Sequence, residues 1–235
     1  MSIAEKLSLV AENQEKVFDA GRKKEYDIFW DNYQKKGARR SYVNGFYGAA
    51  WTDENFKPKY DIIVEGSGGW MFQNTKISKL DVKLDLSGCT NVQSMFANSS
   101  FIRLPELDVS GCGDLKSMFQ TASKLKKISC IVLGKNQTFT NTFSRCTSLE
   151  NVKFAGDISR SVDFSSCPLE PSSIVGIIMK LEYFYGTEFQ DKYTLSLSEA
   201  CWKKADAWTT PYEYGVTGDM LMDWKQYTRE KGWLI

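Results

Sequence analysis

Leu84 to Phe96 reads LDLSGCTNVQSMF and Leu107 to Phe119 reads LDVSGCGDLKSMF, so thirteen residues return almost unchanged after an offset of 23. Aligned on the residue before phenylalanine, the copies extend to Met71-Phe72, Met95-Phe96, Met118-Phe119 and Thr142-Phe143, at steps of 24, 23 and 24. A fixed period in the twenties is the signature of a solenoid. A coil that short cannot bury its own apolar side, so it stacks on its neighbours and shares one core with them. Apolar residues recur in each unit: Leu80, Leu84 and Leu86; Leu104, Leu107 and Val109; Leu125, Ile128 and Ile131; Leu149, Val152 and Phe154. The L-x-L alternation describes a strand with every second residue inward. It predicts Leu84, Leu107 and Ile131 side by side on adjacent parallel strands, with Asp85 and Asp108 facing out. Ser-Gly makes the corner, and the returning arm, with Val92 or Leu115 and then Met-Phe, is expected as a helical or 3₁₀ turn.

Four stretches follow along the chain. Residues 1–37 carry Ile3, Leu7, Val10, Val17 and Ile28 on one stripe, with Glu and Lys on the other face. This amphipathic helix either folds back on its own domain or serves as a stalk for oligomerisation or attachment through Ile3, Leu7, Val10 and Val17; its 3-4 spacing lasts about two heptads, short of a coiled-coil signal. Residues 38–69 form a cap or linker in which Phe46, Tyr47, Trp51 and Phe56 are bulky enough to seal the open end of a layered core. Residues 70–167 hold the repeats, and 168–235 form a closing α/β cap. There Pro171-Ser172-Ser173 starts an apolar helix, TLSLS (Thr194 to Ser198) reads as a strand, and a second amphipathic stretch runs from Met220 into KGWLI.

Composition narrows the function. The chain has 235 residues, a net charge of +1 and 25% charged residues, which gives no field strong enough to steer nucleic acid or an acidic membrane. Lys35, Lys36, Arg39 and Arg40 cluster among aromatics, but so short a basic run suits a solvated helix end better than a phosphate contact. The N-terminus lacks the apolar run of a signal peptide or a membrane span. With no histidine, Ser-His and Cys-His catalysis are excluded and zinc ligand sets shrink to thiolates and carboxylates at unsuitable spacing, so neither a metal nor another cofactor is expected. The six cysteines include no C-x-x-C pair; Cys89 and Cys112 share one repeat position and read as semi-buried thiols rather than disulfide partners. The run GSGG at Gly66 to Gly69 has no following Lys-Ser/Thr and reads as a turn. Acid pairs such as Asp53-Glu54, or Glu182 with Glu188, leave a glycan-cleaving enzyme as a minor alternative that would need two carboxylates across a cleft.

The units LDLSGCTNVQSMF and LDVSGCGDLKSMF, with TFSRCTSLENVKF from Thr142 to Phe154, resemble the BspA-type leucine-rich repeats of bacterial surface proteins. Cys146, Leu149, Val152 and Phe154 match that pattern position by position, and VDFSSC (Val162 to Cys167) echoes its strand. The resemblance covers roughly Trp70 to Cys167, with departures at IVLGKNQTF and where Ser99 and Ala122 replace the family's cysteine. It implies an α/β fold: a short leucine-rich-repeat solenoid with a parallel β ladder. The overall layout is also similar to proteins encoded beside tail genes in phages and prophages of gut bacteria. What this implies is a non-enzymatic interaction protein, placed in a virion tail if phage-derived, that recognises a bacterial surface; a purely structural subunit and a cell-surface adhesin are the alternatives. Partners would be protein or cell-surface glycan, and copies of the chain itself through the N-terminal helix, with no nucleic acid and no membrane insertion. The candidate contact residues are Lys79, Asp81, Lys83, Asp85, Arg103, Glu106, Asp108, Lys126 and Lys127 on the sheet face, and Trp202, Trp208, Tyr212 and Tyr214 in the aromatic-rich insert.

Overall fold

The structure is a computed structural model, and it describes residues 36–184, 192–207 and 223–235. The expected N-terminal helix with Ile3, Leu7, Val10 and Val17 lies outside the described residues, as do Trp208, Tyr212 and Tyr214. What is described is a parallel β-solenoid. Its strands run β1 Arg39–Arg40, β2 Ile62–Ser67, β3 Leu84–Asn91, β4 Arg103–Asp108, β5 Lys127–Val132, β6 Asn151–Ala155, β7 Val162–Asp163, β8 Tyr193–Ser196 and β9 Trp233–Leu234. They form three parallel sheets, β1-β2-β3, β4-β5-β6 and β7-β8-β9. The coils therefore begin before the repeats that the sequence makes obvious, because β1 and β2 already belong to the ladder.

The spine is a stack of phenylalanines. Phe46, Phe72, Phe96, Phe119, Phe143 and Phe164 lie ring on ring, with centroids 4.4 to 5.6 Å apart. Phe101 wedges edge-on against Phe72 and Phe96, and Phe154 does the same against Phe143 and Phe164. All eight rings are buried.

The arms that carry this stack are neither helical nor 3₁₀, contrary to expectation. Two residues before and two after each of the first five phenylalanines of the stack the backbone turns left-handed: Asn44, Trp70, Ser94, Ser117 and Asn141 before it, and Gly48, Asn74, Asn98, Thr121 and Arg145 after it, at φ of 51 to 62° for the non-glycines. Such a residue costs about 1–2 kcal/mol when it is not glycine. The reversal redirects every second N–H out of its own coil. Phe46, Phe72, Phe96 and Phe119 each donate to the carbonyl of the residue before the next phenylalanine (Met71, Met95, Met118, Thr142) at 2.7 to 3.0 Å. The left-handed residues on either side make the same kind of bond, for example Trp70 N–H to Gln93 and Asn74 N–H to Ala97. The intervening N–H groups close tight turns inside the coil, as Met71 does onto Gly68 and Gln73 onto Trp70. A helix would have spent every N–H internally and left none to join the coils.

The sheet side is less regular than the arms. Leu107 pairs with Ile131 and Ile131 with Phe154, as the period requires, and Leu104 pairs with Ile128 and Ile128 with Val152. Leu84 departs from the expectation: it pairs with Ile62, and β3 and β4 lie in different sheets. Leu80 to Leu84 contains one residue more than Leu104 to Leu107, and Pro105 in β4 has no N–H to give. Both leucines stay in the common core.

The C-terminal cap keeps strands in β8 and β9 and adds helices between them. Helix α1, Pro171–Lys180, packs against β6, and its Ser173 hydroxyl accepts the Val152 N–H, closing the end of the ladder. Helices α2, Glu199–Asp206, and α3, Trp224–Glu230, are capped by Ser198 and Asp223. The buried Lys231 reaches back to the end of α1 and donates to the carbonyls of Ile178, Met179 and Leu181 at 3.1, 3.2 and 2.6 Å. Burial pulls its amine down to about 8. Among the described residues no helix is long and apolar enough to cross a membrane.

Two substitutions with opposite signs test this core in one denaturation experiment. Phe96→Ala removes a ring from the middle of the stack and should cost about 3–5 kcal/mol. Ser99→Ala should gain about 1 kcal/mol, because the buried Ser99 hydroxyl has no hydrogen-bond partner among the described residues.

Candidate functional site

Three surfaces could do chemistry: the corners, the arm-side cleft and the outer sheet face. At the corners the polar groups are already committed. Asp85 accepts from the Ser87 N–H at 3.0 Å and its hydroxyl at 2.7 Å, Asp108 does the same with Ser110 at 3.1 and 2.6 Å, and Asp163 accepts the Ser165 N–H at 2.8 Å. The recurring D-x-S is therefore a local lock, inside β3 at Asp85 and at the turns that follow β4 and β7 at Asp108 and Asp163, and Asp85 and Asp108 are half-buried in it rather than displayed. The Ser87 hydroxyl, and then its backbone N–H, hold the Asp85 carboxyl below its ordinary range.

Cysteines hold the next layer inward. The Cys112 thiol donates to the Cys89 carbonyl at 3.2 Å, Cys146 to Phe119 at 3.0 Å, and Cys201 to Cys167 at 3.3 Å. All six cysteines are free thiols, and five are buried. IVLGKNQTF, which lacks the D-x-S-G-C wording, solves the same corner differently. The buried Gln137 amide donates to the Val109 and Cys112 carbonyls, and its oxygen accepts the Gly134 N–H at 3.0 Å. Gly134 is required by space: a Cβ there would come within 2.2 Å of the Ser110 carbonyl oxygen.

The cleft on the arm side, about 440 Å³, lies where the Phe143 arm meets β7 and β8 and is lined by Thr138, Asn141, Arg160, Asp163 and Tyr193 among others. Its walls are mostly spent. Thr138 donates to Asp114, the Ser161 hydroxyl accepts the Thr194 N–H, and the Arg160 guanidinium donates to the Ser159 carbonyl while lying 5.1 Å from the Tyr193 ring centroid.

The outer sheet face is the surface whose side chains remain available. Each coil is anchored at the start of its strand by the same bond: Ile102 N–H to Ser78, Lys126 N–H to Ile102, and Glu150 N–H to Lys126, at 2.8 to 3.0 Å. The following residue in each coil is Lys79, Arg103, Lys127 and Asn151, at steps of 24, and the last three stand in strand register. Lys79, Arg103 and Lys127 are exposed, and so are Lys126, Glu106 and Lys83. Lys79 pairs with the exposed Asp81 at 3.0 Å, and Lys83 with Asp85 at 4.0 Å. The face is polarised along β4 and β5: Arg103 and Lys127 stand at the strand starts, while Asp108 at the end of β4 is locked into a turn.

The structure thus brings together Lys79, Arg103, Lys126 and Lys127 of the sequence-derived set, and sets Trp202 apart: its side chain is buried within the C-terminal cap. Sequence reasoning treated the charged positions as a mixed field and missed that three of them form one file, although the spacing of 24 is visible in the chain. It also missed Cys130, half-buried beside Glu106 in strand register, whose thiol is pushed up by burial and then by that carboxylate. Among the described residues no group of three or more Cys, Asp and Glu could hold a metal ion. Compared with known proteins, the chain matches no family model, no curated protein and no solved structure.

The turn lock has a pH signature. The folded Asp85 carboxyl sits below its ordinary 3.8, so the unfolded chain takes up the proton first. The lock then contributes stability above about pH 4 and loses it as pH falls through the folded value. Ser87→Ala should move the Asp85 titration up toward 3.8, read by carboxyl-carbon NMR, and flatten the acid limb of the stability curve.

Proposed function

We propose that the protein is a non-enzymatic interaction module, a short BspA-like leucine-rich-repeat solenoid that recognises a bacterial cell-surface ligand through its outer sheet face. In this reading it belongs to a phage or prophage tail, with the N-terminal segment as its attachment. The observation that carries the reading is the division of labour among polar groups. Corner aspartates, ladder cysteines and the buried glutamine are consumed by the fold, whereas Arg103, Glu106, Lys126 and Lys127 on the sheet carry no ion pair among the described residues. A flat, ordered display of side chains suits many shallow contacts with a protein or polar glycan.

Fluorescently labelled full-length protein, incubated with a panel of bacterial cells, should adsorb to at least one surface. Reversing the face with Arg103→Glu and Glu106→Arg together should abolish that adsorption, and Lys135→Glu, at a distant corner, should leave it intact. Adsorption indifferent to the face variant, or none on any cell, would overturn the reading.

A further inference from the structure

The charge file on the sheet face calls for a ligand of definite shape. Parallel strands lie about 4.8 Å apart, so Arg103 and Lys127, in direct register, hold like charges side by side. The common anchoring bond at the strand starts places Lys79 one coil earlier in the same file. Lys126 flanks Lys127 in the neighbouring file and is equally exposed. Like charges directly opposite each other on a sheet are unfavourable. Among nearby acids only Asp81 relieves the file, by pairing with Lys79 at one end; neither Glu106 nor Glu150 makes an ion pair with Arg103, Lys126 or Lys127.

We infer that this file binds a linear anionic glycan with one acidic group per sugar, lying along the stacking axis of the solenoid. The inference rests on reading the sheet face as the recognition surface. A straight row of cations, one in each of three successive coils, matches a polymer whose charges also advance in single file, and one sugar length is close to one coil rise. Duplex nucleic acid fits poorly, because each strand places a charge every 3.4 Å or so along a helical path. The guanidinium of Arg103 can take a carboxylate, sulfate or phosphate with two parallel hydrogen bonds, while Lys79 and Lys127 act as point charges beside it. Each contact is exposed and weak alone, so affinity comes from engaging several coils at once.

The test titrates the full-length protein with galacturonate oligomers of one, two, four and eight sugars, a neutral galactose oligomer of equal length, and single-stranded DNA of equal charge. The tetramer should bind at least about tenfold more tightly than the monomer, the neutral oligomer should not bind, and added salt should weaken the complex. Arg103→Glu with Lys127→Glu should cost at least about tenfold, Arg103→Gln with Lys127→Gln somewhat less, and Lys135→Glu nothing. Circular dichroism checks that each variant is folded. Sulfated and phosphorylated oligomers of the same length identify the preferred acid, and binding of either in place of the galacturonate, with the same length and variant dependence, supports the inference. Equal binding of monomer and tetramer, binding indifferent to both double variants, no binding of any acidic oligomer, or preference for the DNA would overturn it. If Arg103→Glu with Lys127→Glu abolishes cell adsorption while no acidic oligomer binds, the ligand class is wrong and the recognition face stands. Binding of the oligomers with no cell adsorption overturns the surface-recognition reading alone.

Discussion

Hydrogen bonds between successive arms hold this molecule together, and the rest of its structure follows from how they are made. A peptide chain has one N–H per residue to spend. In the arms of Phe46, Phe72, Phe96 and Phe119, alternate N–H groups close turns within the coil and the others cross to the next coil, from the residue at phenylalanine and those two positions either side. That alternation requires left-handed backbone at two places per coil. The conformational cost is offset by the crossing bonds and by the burial of a phenylalanine that stacks on its neighbours. Neither contribution exists without an adjacent coil, so no single coil is stable alone. The arms, rather than the sheet, carry the continuity, because they remain joined between the Phe96 and Phe119 coils where strand pairing between β3 and β4 is interrupted.

Once the arms set the spacing, the corners need only turn the chain without colliding with the coil below. Two solutions to that steric problem coexist. In LDLSGC and LDVSGC an aspartate locks the turn through serine, and a cysteine of the second donates to the carbonyl beneath it. In IVLGKNQTF a single glutamine does both jobs, donating to the coil below and accepting from its own Gly134. The close approach of Gly134 to Ser110, and of Gly111 to Cys89, where a Cβ would come within 2.9 Å of the carbonyl oxygen, shows why glycine recurs near the corner. The repeat wording can fade while the coil survives, because the requirement is a donor of the right length and a residue without a side chain.

This explains which parts of the fold are legible in the sequence. The period of 24, 23 and 24 and the inward leucines are visible because burial demands apolar side chains at fixed spacing. The closing α1 is visible through Pro171 and its apolar run. The left-handed positions are not: asparagine and glycine tolerate that backbone, but Trp70 and Arg145 adopt it with no compositional warning. The outer members of the phenylalanine stack are hidden by irregular steps, 26 residues from Phe46 to Phe72 and 21 from Phe143 to Phe164. The break beside Leu84 follows from one additional residue, which a pattern reader absorbs as drift and a hydrogen-bonded register cannot. The D-x-S aspartates were read as displayed because alternation alone points them outward; their short reach to a serine two residues on brings them back into the turn.

The same logic explains why the candidate site is a file of charges rather than a pocket. In a globular enzyme, residues distant in sequence converge on a cleft, and their roles cannot be inferred from spacing. In a solenoid, one position per coil maps to one line on the surface, so a period in the chain becomes a straight edge in space. Lys79, Arg103 and Lys127 occupy such a line at a constant step of 24. Among the described residues their ammonium and guanidinium groups make no ion pair beyond that of Lys79 with Asp81. The stacking that forces cations into neighbouring registers is fixed by buried phenylalanines on the opposite side of the coil, and so it persists whether or not the charges are satisfied. A surface built this way holds its charges in position before any ligand arrives, and an anionic chain that aligns with it relieves repulsion between coils as well as gaining contacts of its own.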